Sequence, residues 1–587
     1  MKRRTVVAAM LAAPAAAALG IGPAVAAARQ RVRPGAAEWP SGADWAELGQ
    51  AVNGRLAPVT TPELGPADAD RLLHNPFYLG DTPAFTQASG WAGAWTSAPS
   101  AYVVKAESAA DVAAAVTFAA RHRLRLVVKG GGHSYMGGSS APDSLLVWTR
   151  AMDAIEIHDA FVPLGSSAAA VPAVSLGAGC IWLHAYEAVT GKAGRYVQGG
   201  GCTTVGVAGL VQGGGFGSFS KGFGLAAASL LEAEIVTADG AVRIVNAGRE
   251  PDLFWALKGG GGGTFGVVTR LTLATHEAPP TFGSATWTVQ AASDGAYRRL
   301  LGAFVDTYAA HLFNPHWGEQ ARATPDNRLV VSMVFQGLVQ ADARAAWTDL
   351  ADFVAAHPDD YSSLQPLGVV AIPPRLFWNG ALLHALAPGA VQVDDRPGAR
   401  PGDFWWSGDG EQPAALWHAY HSAWLPASLL QAGGRARLAD AWFAASRHWG
   451  MAFHFNKGLA GAPPAAVAAA RDTAMNPQVL DAFALAITAD LGPSSFPPFP
   501  PPDLAAARAR AGRVSASMQA LRAAAPDAGG YLSECDYFLE DWRRACWGEH
   551  WGRLAAIKRR WDPEGLFVVH HGVGSEDWSA DGFTRTA

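Results

Sequence analysis

The feature that most constrains this chain is glycine placed in runs: Gly130–Gly132, Gly199–Gly201, Gly213–Gly215 and Gly259–Gly263. Glycine adopts positive φ without a Cβ penalty, and it lets backbone N–H groups approach an anion closely. Such a run either makes a tight turn between packed strands or cradles a pyrophosphate. Taken singly, each run here fits the turn at least as well as the cradle. None follows G-x-G-x-x-G between a strand and the helix of a βαβ unit, and there is no P-loop. A dinucleotide site in this chain therefore needs a scaffold other than the Rossmann fold. The residues attached to the runs say more. His133 follows the first run and Cys202 follows the second, so each nucleophilic side chain sits beside whatever its glycine turn holds.

The chain has 587 residues, more than one ordinary core, and two domains are expected. Half of the residues are hydrophobic and 22 are Trp, which supports large cores or an aromatic-lined cavity. Charged residues are 16% of the total, below the roughly 25% of average proteins. The net charge is −5 with no basic block beyond the first residues, which argues against a nucleic-acid partner. At the N-terminus Lys2-Arg3-Arg4 precedes an uncharged Ala-rich stretch with Ala24-Val25-Ala26 as a small-residue cleavage site. Residues 1–28 are therefore expected to be a signal peptide, and the Arg pair points to the twin-arginine (Tat) export machinery. The expected location is periplasmic or extracellular, without stable membrane insertion. The cysteines are Cys180, Cys202, Cys535 and Cys546, with no CxxC pair, so neither a disulfide framework nor a metal site is expected. If one helix joined Cys535 to Cys546, they would lie ~16 Å apart, beyond disulfide reach.

Residues 29–95 read as an irregular N-terminal extension. A regular pattern begins near Ala101: strands over 101–105, 124–128, 171–177, 231–237, 241–245 and 265–273. Helices are expected over 109–122, capped by Ser108, and over 181–189, with Gly191 past the end. Asp239-Gly240 signals a hairpin. After about His276 the composition shifts to Ala-rich helical stretches alternating with Trp-rich segments such as 404–406 and 417–424, a candidate second domain. Those Trp residues line a cavity or pack in a core. The prolines of 493–502 read as a rigid surface loop.

Read together, the motifs resemble the berberine-bridge-enzyme-like group of the vanillyl-alcohol-oxidase flavoprotein superfamily. They are Gly131-Gly132-His133-Ser134-Tyr135, the stretch from Cys202-Thr203-Thr204-Val205-Gly206 through Gly209 to Gly213-Gly214-Gly215-Phe216-Gly217, and Asp252 through Thr269. The C-terminal signature from Trp547 to Phe567 completes the set. The resemblance spans residues ~95–275 and ~530–570. It implies an α+β fold: a two-part PCMH-type FAD-binding domain (96–275), an α/β substrate domain (276–529), and a C-terminal segment (530–587) that returns to complete the FAD domain. It implies FAD bound covalently, with His133 bonded to the flavin 8α carbon and Cys202 to flavin carbon 6. Two bonds prevent dissociation and raise the flavin's potential. The cofactor-binding set carried over is Lys129, Gly130, Gly131, Gly132, His133, Ser134, Gly137, Gly138, Gly201, Cys202, Thr203, Val205, Gly206, Gly209, Gly213, Gly214, Gly215, Gly217, Gly266, Val268, Trp547 and His550. Departures from the pattern are Leu210 where plant members often have His, Lys129 where Arg is common, and Ala228-Ser229 where Asp-Asn is common.

Oxidising a hydroxylated substrate through a flavin needs hydride transfer to N5 and a base for the O–H proton. In the family a base lies in a Tyr-x-Asn-Tyr-x-Asp segment. The matching stretch here is Tyr531-Leu532-Ser533-Glu534-Cys535-Asp536, so Glu534 replaces the second Tyr. Glu534 is the first candidate base, with Tyr531, Asp536 and Tyr537 in reserve; an ion-paired structural Glu534 is the competing reading. Val205 occupies the position that tunes oxygen access in relatives, which favours O₂ as acceptor of the electrons. Three readings follow: an oxidase of a small hydroxylated molecule such as a carbohydrate or secondary metabolite, a dehydrogenase feeding a quinone or cytochrome, and an inactive flavin-fold binding protein. The substrate stays undetermined, because 276–529 carries no decodable motif.

Overall fold

The computed structural model describes residues 30–586, so the expected signal peptide lies outside the described residues. The flavin half is built from two sheets. Strands 102–105, 144–148 and 125–129 run parallel, with strand 56–58 antiparallel at one edge. Helix Ala109–Arg121 provides the crossover. Ser108 caps it reciprocally with Asp111, and its apolar side buries Val112, Ala115, Val116 and Ala119. The second sheet is antiparallel, in the order 242–246, 230–236, 267–274, 171–177, 155–161. Gly240 has φ +76° in the hairpin turn that joins two of these strands. The C-terminal segment returns as expected: Phe567 bridges Leu126 in the first sheet, and Lys558 Nζ donates to the carbonyls of Thr264 and Phe567.

The other half is a nine-stranded sheet. Its order is 361–372, 282–291, 328–336, 317–323, 451–454, 482–492, 415–426, 88–91, 95–96. All pairs are antiparallel except 88–91 with 415–426. Period-2 burial in Arg328–Gln336 marks strands with one face in a core. Helix Asp294–Thr307 covers that core with Tyr297, Leu300, Leu301, Phe304 and Val305, an i, i+3, i+4, i+7, i+8 stripe. Helix Gly434–Ser446 packs beside it, and helix Leu504–Arg522 packs against Gly434–Ser446 in turn.

Three expectations change. Residues 30–95 are not irregular: they hold helices Gly42–Ala51, Pro66–Leu73 and Pro76–Asp81 and strand 56–58 of the first sheet, and strands 88–91 and 95–96 extend the nine-stranded sheet. These helices are short, the first and third are capped by Ser41 and Asn75, and their Pro and Gly content hid them. The helix after Ile181 is α only over Trp182–Tyr186 and continues as a π-turn through Lys192, so Gly191 lies inside it. Finally, no single helix joins Cys535 to Cys546. The helix begins only at Trp542, with turns before it, and both thiols are buried.

Candidate active site

The glycine turn after strand 125–129 and the loop holding Cys202 pack backbone to backbone. A Cβ on Gly131 would stand 2.7 Å from the Thr204 carbonyl oxygen and 2.8 Å from the Gly206 nitrogen, and Gly132 has φ +80°. Only glycine permits this approach. Beyond the turn, His133 Nε2 lies 3.0 Å from Thr204 Oγ1. His133, Cys202, Thr203 and Thr204 line one cavity with Tyr135, Trp405, Asp409, Gln412 and Trp417. Burial lowers the His133 pKa to about 4, so the imidazole is neutral and keeps a lone pair. Burial, then the neighbouring Asp409, pushes the Cys202 thiol well above its usual range.

These residues fit a flavin. Thr203 Oγ1 is buried without a hydrogen-bond partner among the described residues, and Gly209 faces open space. A hydroxyl left unpaired in this way costs ~1–3 kcal/mol, so a polar ligand group belongs opposite it.

The comparisons agree with this geometry. The model of an FAD binding domain matches residues 99–246, and the model described as berberine and berberine like matches 530–574. The FAD-linked oxidoreductase notD' of Aspergillus versicolor is 30% identical over 94% of this chain and 90% of its own length. The chain belongs to the FAD-linked oxidoreductases of the berberine-bridge-enzyme-like family. The VAO-type flavoprotein oxidase VAO615 of Thermothelomyces thermophilus is 28% identical to this oxidoreductase over 94% of each chain. In fold it is similar to the VAO-type flavoprotein MtVAO615 of Myceliophthora thermophila C1, with a TM-score of 0.76 and 24% identity, covering 95% of this chain and 100% of the other. It is also similar to the glucooligosaccharide oxidase of Acremonium strictum, with a TM-score of 0.61 and 19% identity, covering 81% and 92%.

Other residues expected around the cofactor take several positions. Ser134 Oγ accepts from the Gly138 N–H at 3.1 Å, closing the turn that also holds Gly137 at φ +74°. Gly213 lies against Ser533, and a Cβ on Gly214 or Gly215 would meet Met475 or Leu210. A Cβ on Gly217 would collide with the Gly199 carbonyl, and one on Gly266 with the Val236 carbonyl in the adjacent strand. Those last two glycines serve close packing. Val268 pairs with Ile235 in that sheet. Gly201 accepts from Trp406 Nε1 and Val205 from the Trp182 N–H. Trp547 Nε1 donates to the Gly259 carbonyl at 3.0 Å, and His550 Nδ1 contacts the Met475 carbonyl at 2.9 Å. Lys129 is fully committed elsewhere: its ammonium donates to the carbonyls of Leu79, Thr82 and Phe85 and braces that segment against the glycine turn.

Glu534 lies in a turn, with both oxygens on Lys457 Nζ at 2.6 and 2.7 Å. It is ion-paired with Lys457 across the fold. Its charge is felt by Tyr135, Tyr420 and Glu319, so it belongs to the same cluster as Cys202. Tyr531 is buried edge-on against Phe216 at 5.1 Å, and burial pushes its hydroxyl up to about 12. Asp536 is directed elsewhere. It stands 3.9 Å from His421 in a second cavity of about 220 Å³, lined also by His418, Arg508 and Ser515. Tyr537 stacks on His570 at 3.6 Å.

Four side chains that sequence reading missed complete the site. Tyr135 and Asp409 line the cavity. Glu319, with φ +60°, accepts from Ser218 Oγ at 2.6 Å, and burial raises its pKa. Lys457 follows strand Met451–His454. Tyr135 was in view inside a matched motif. The other three are single charged residues of the substrate half, and only their low exposure in the fold distinguishes them.

Proposed function

We propose that this oxidoreductase is an exported oxidase that holds FAD through both His133 and Cys202 and oxidises a hydroxylated small molecule, with O₂ as acceptor. The observation that carries the reading is that His133 and Cys202, 69 positions apart in sequence, line one cavity beneath paired glycine turns. The glucooligosaccharide oxidase, whose FAD is described as 6-S-cysteinyl and 8α-N1-histidyl, supports it by fold. So does the carbohydrate oxidase of Microdochium nivale, with a TM-score of 0.64.

When bound, the flavin supplies the hydride acceptor. The chain supplies the rest. Neutral His133 offers a ring nitrogen for attachment. Glu534 takes the substrate O–H proton, and Lys457 fixes its carboxylate in place. Trp405 and Trp417 give the cavity flat apolar walls suited to a sugar or aromatic ring. The N-terminal leader supports export, and N-terminal sequencing of mature protein should begin just past Ala26.

The test is direct. Acid-precipitated wild-type protein should stay yellow, and only the His133→Ala, Cys202→Ala double variant should release all its flavin. Full release from wild type would defeat the attachment. Turnover with an oligosaccharide should form hydrogen peroxide. Reduced enzyme indifferent to air but quickly reoxidised by a quinone would make it a dehydrogenase instead.

A further inference from the structure

The hairpin 391–406 and the turn after it belong by sequence to the substrate half, yet they are clamped onto the flavin half. Arg400 pairs with Glu187 at 2.7 Å. Asp403 meets His184 at 2.9 Å in a buried contact. Trp406 Nε1 donates to the Gly201 carbonyl at 3.2 Å. Gly201 immediately precedes Cys202, so the clamp fixes the 3₁₀ turn Ser407–Asp409 over the Cys202 loop. Asp409 and Cys202 line the same cavity, and the Asp409 charge acts on the thiol.

We propose that Asp409 is the general base of flavin attachment, taking the Cys202 proton as the sulfur bonds to flavin carbon 6. The proposal rests on the two-point attachment proposed above. The Cys202 S–H bond breaks, its proton passes to Asp409, and the S–C6 bond forms as the flavin ring takes up the electron pair. The C6 proton is then lost, and the reduced ring passes two electrons to O₂. The two hydrogens, one from the thiol and one from C6, leave in H₂O₂.

Burial makes this step depend on a base. Desolvation holds Cys202 as the thiol, whereas the nucleophile is the thiolate. A neighbouring carboxylate disfavours the thiolate further, so Asp409 cannot help by stabilising that charge; it helps by accepting the proton. Its own pKa is raised to about 6 by burial, which leaves it ionised at neutral pH. Lys457, which favours ionisation, and Glu319, which opposes it, also face the pair, with Tyr135 and Tyr420 nearby. Two roles for Asp409 thus predict opposite signs. A proton acceptor speeds attachment and a bystander charge slows it.

The experiment compares full-length holoprotein produced in air as wild type, Asp409→Asn and Asp409→Glu, by peptide mass after denaturation and iodoacetamide treatment. Wild type should give the His133 and Cys202 peptides joined through flavin. Asp409→Asn should carry flavin on the His133 peptide alone, with Cys202 alkylated and the joined species reduced at least ~10-fold, within the range of a lost base. Asp409→Glu should restore most of it. Asp409→Asn held in air should then regain the Cys202 bond about 10-fold faster per pH unit as hydroxide replaces the base. Equal or faster joining in Asp409→Asn overturns the proposal. Wild type with flavin on His133 alone defeats the two-point reading itself, a separate and visible result. The His133 linkage reports that a variant has folded. If Asp409→Asn does not accumulate, Asp409→Ser makes the same comparison.

Discussion

The flavin half and the substrate half of this oxidoreductase carry function in different currencies. In the flavin half, strands 102–105, 125–129 and 144–148 position glycine turns that meet backbone to backbone, where the proposed flavin would sit. A Cβ on Gly131 would meet the Thr204 carbonyl oxygen and the Gly206 nitrogen, with no flexible side chain to yield. In the other half, the proposed site draws on isolated side chains. Glu319 lies on a strand, Asp409 on a 3₁₀ turn and Lys457 after a strand, brought together only by the nine-stranded sheet and its hairpin. Backbone-borne function leaves contiguous glycine runs in the sequence. Side-chain-borne function leaves single charged residues among many.

The sharpest way to break this contrast is at Glu534, which lies in the C-terminal segment but is paired with the substrate half. If it is the base, Glu534→Gln should lower turnover by 10²–10⁴-fold with flavin content unchanged, read as kcat per bound flavin. Unchanged turnover would return Glu534 to a structural ion pair. Gly131→Ala tests the other side. Its Cβ has only backbone to displace, so bound flavin per protein should fall at least ~10-fold, consistent with about 1–3 kcal/mol of strain. Near-normal flavin content would show that the close approach is dispensable.

Legibility follows the same division. The strand at 171–177, the Ser108-capped helix and the Asp239-Gly240 hairpin were readable because each has a local cause: a short apolar run ending in Gly177, a cap, a φ > 0 residue. The helices of 42–81 were not, since their stability comes from caps and from tertiary burial of Leu48, Leu73 and Phe77 rather than from propensity. His133 and Cys202 were legible from their glycine runs. The carboxylate of Glu534 was legible, but its partner Lys457, 77 positions away, was not, because ion pairs between distant elements leave no spacing to read.

Lys457→Met sharpens the comparison from the substrate side. Without the ammonium, Glu534 loses the partner of both its oxygens, so turnover per bound flavin should fall about 10-fold. Unchanged turnover would mean that Lys457 does not position the carboxylate. The seam between the halves can be weighed separately. Buried Lys221 donates to the carbonyls of Gly458, Ala460 and Phe483 at 2.6, 2.9 and 2.9 Å. Lys221→Met leaves three acceptors unpaired and should destabilise the protein by about 3 kcal/mol, seen as a lower Tm.

The smallest effect expected is at His571, where the C-terminal segment packs against its own helix. His571 stacks on Trp542 at 5.2 Å, and its Nδ1 lies 3.9 Å from Cys535 Sγ. Burial, reinforced by His570, lowers its pKa to about 3. The unfolded chain titrates near 6.5, so between about pH 6.5 and 3 the unfolded state binds the extra proton. The stability associated with neutral His571 is present in full above about pH 6.5 and is lost progressively as pH falls toward 3. Carboxylates add their own acid dependence, so the informative quantity is a difference. The residue has φ +55°, which Asn tolerates, so His571→Asn removes the titration with little backbone strain. The variant should melt lower than wild type at pH 7.5, because the stack on Trp542 is lost, yet its Tm should fall less between pH 7.5 and 5. Equal declines in the two proteins would mean that the imidazole stays reachable by water, and that this segment seals the flavin half less tightly than its packing implies.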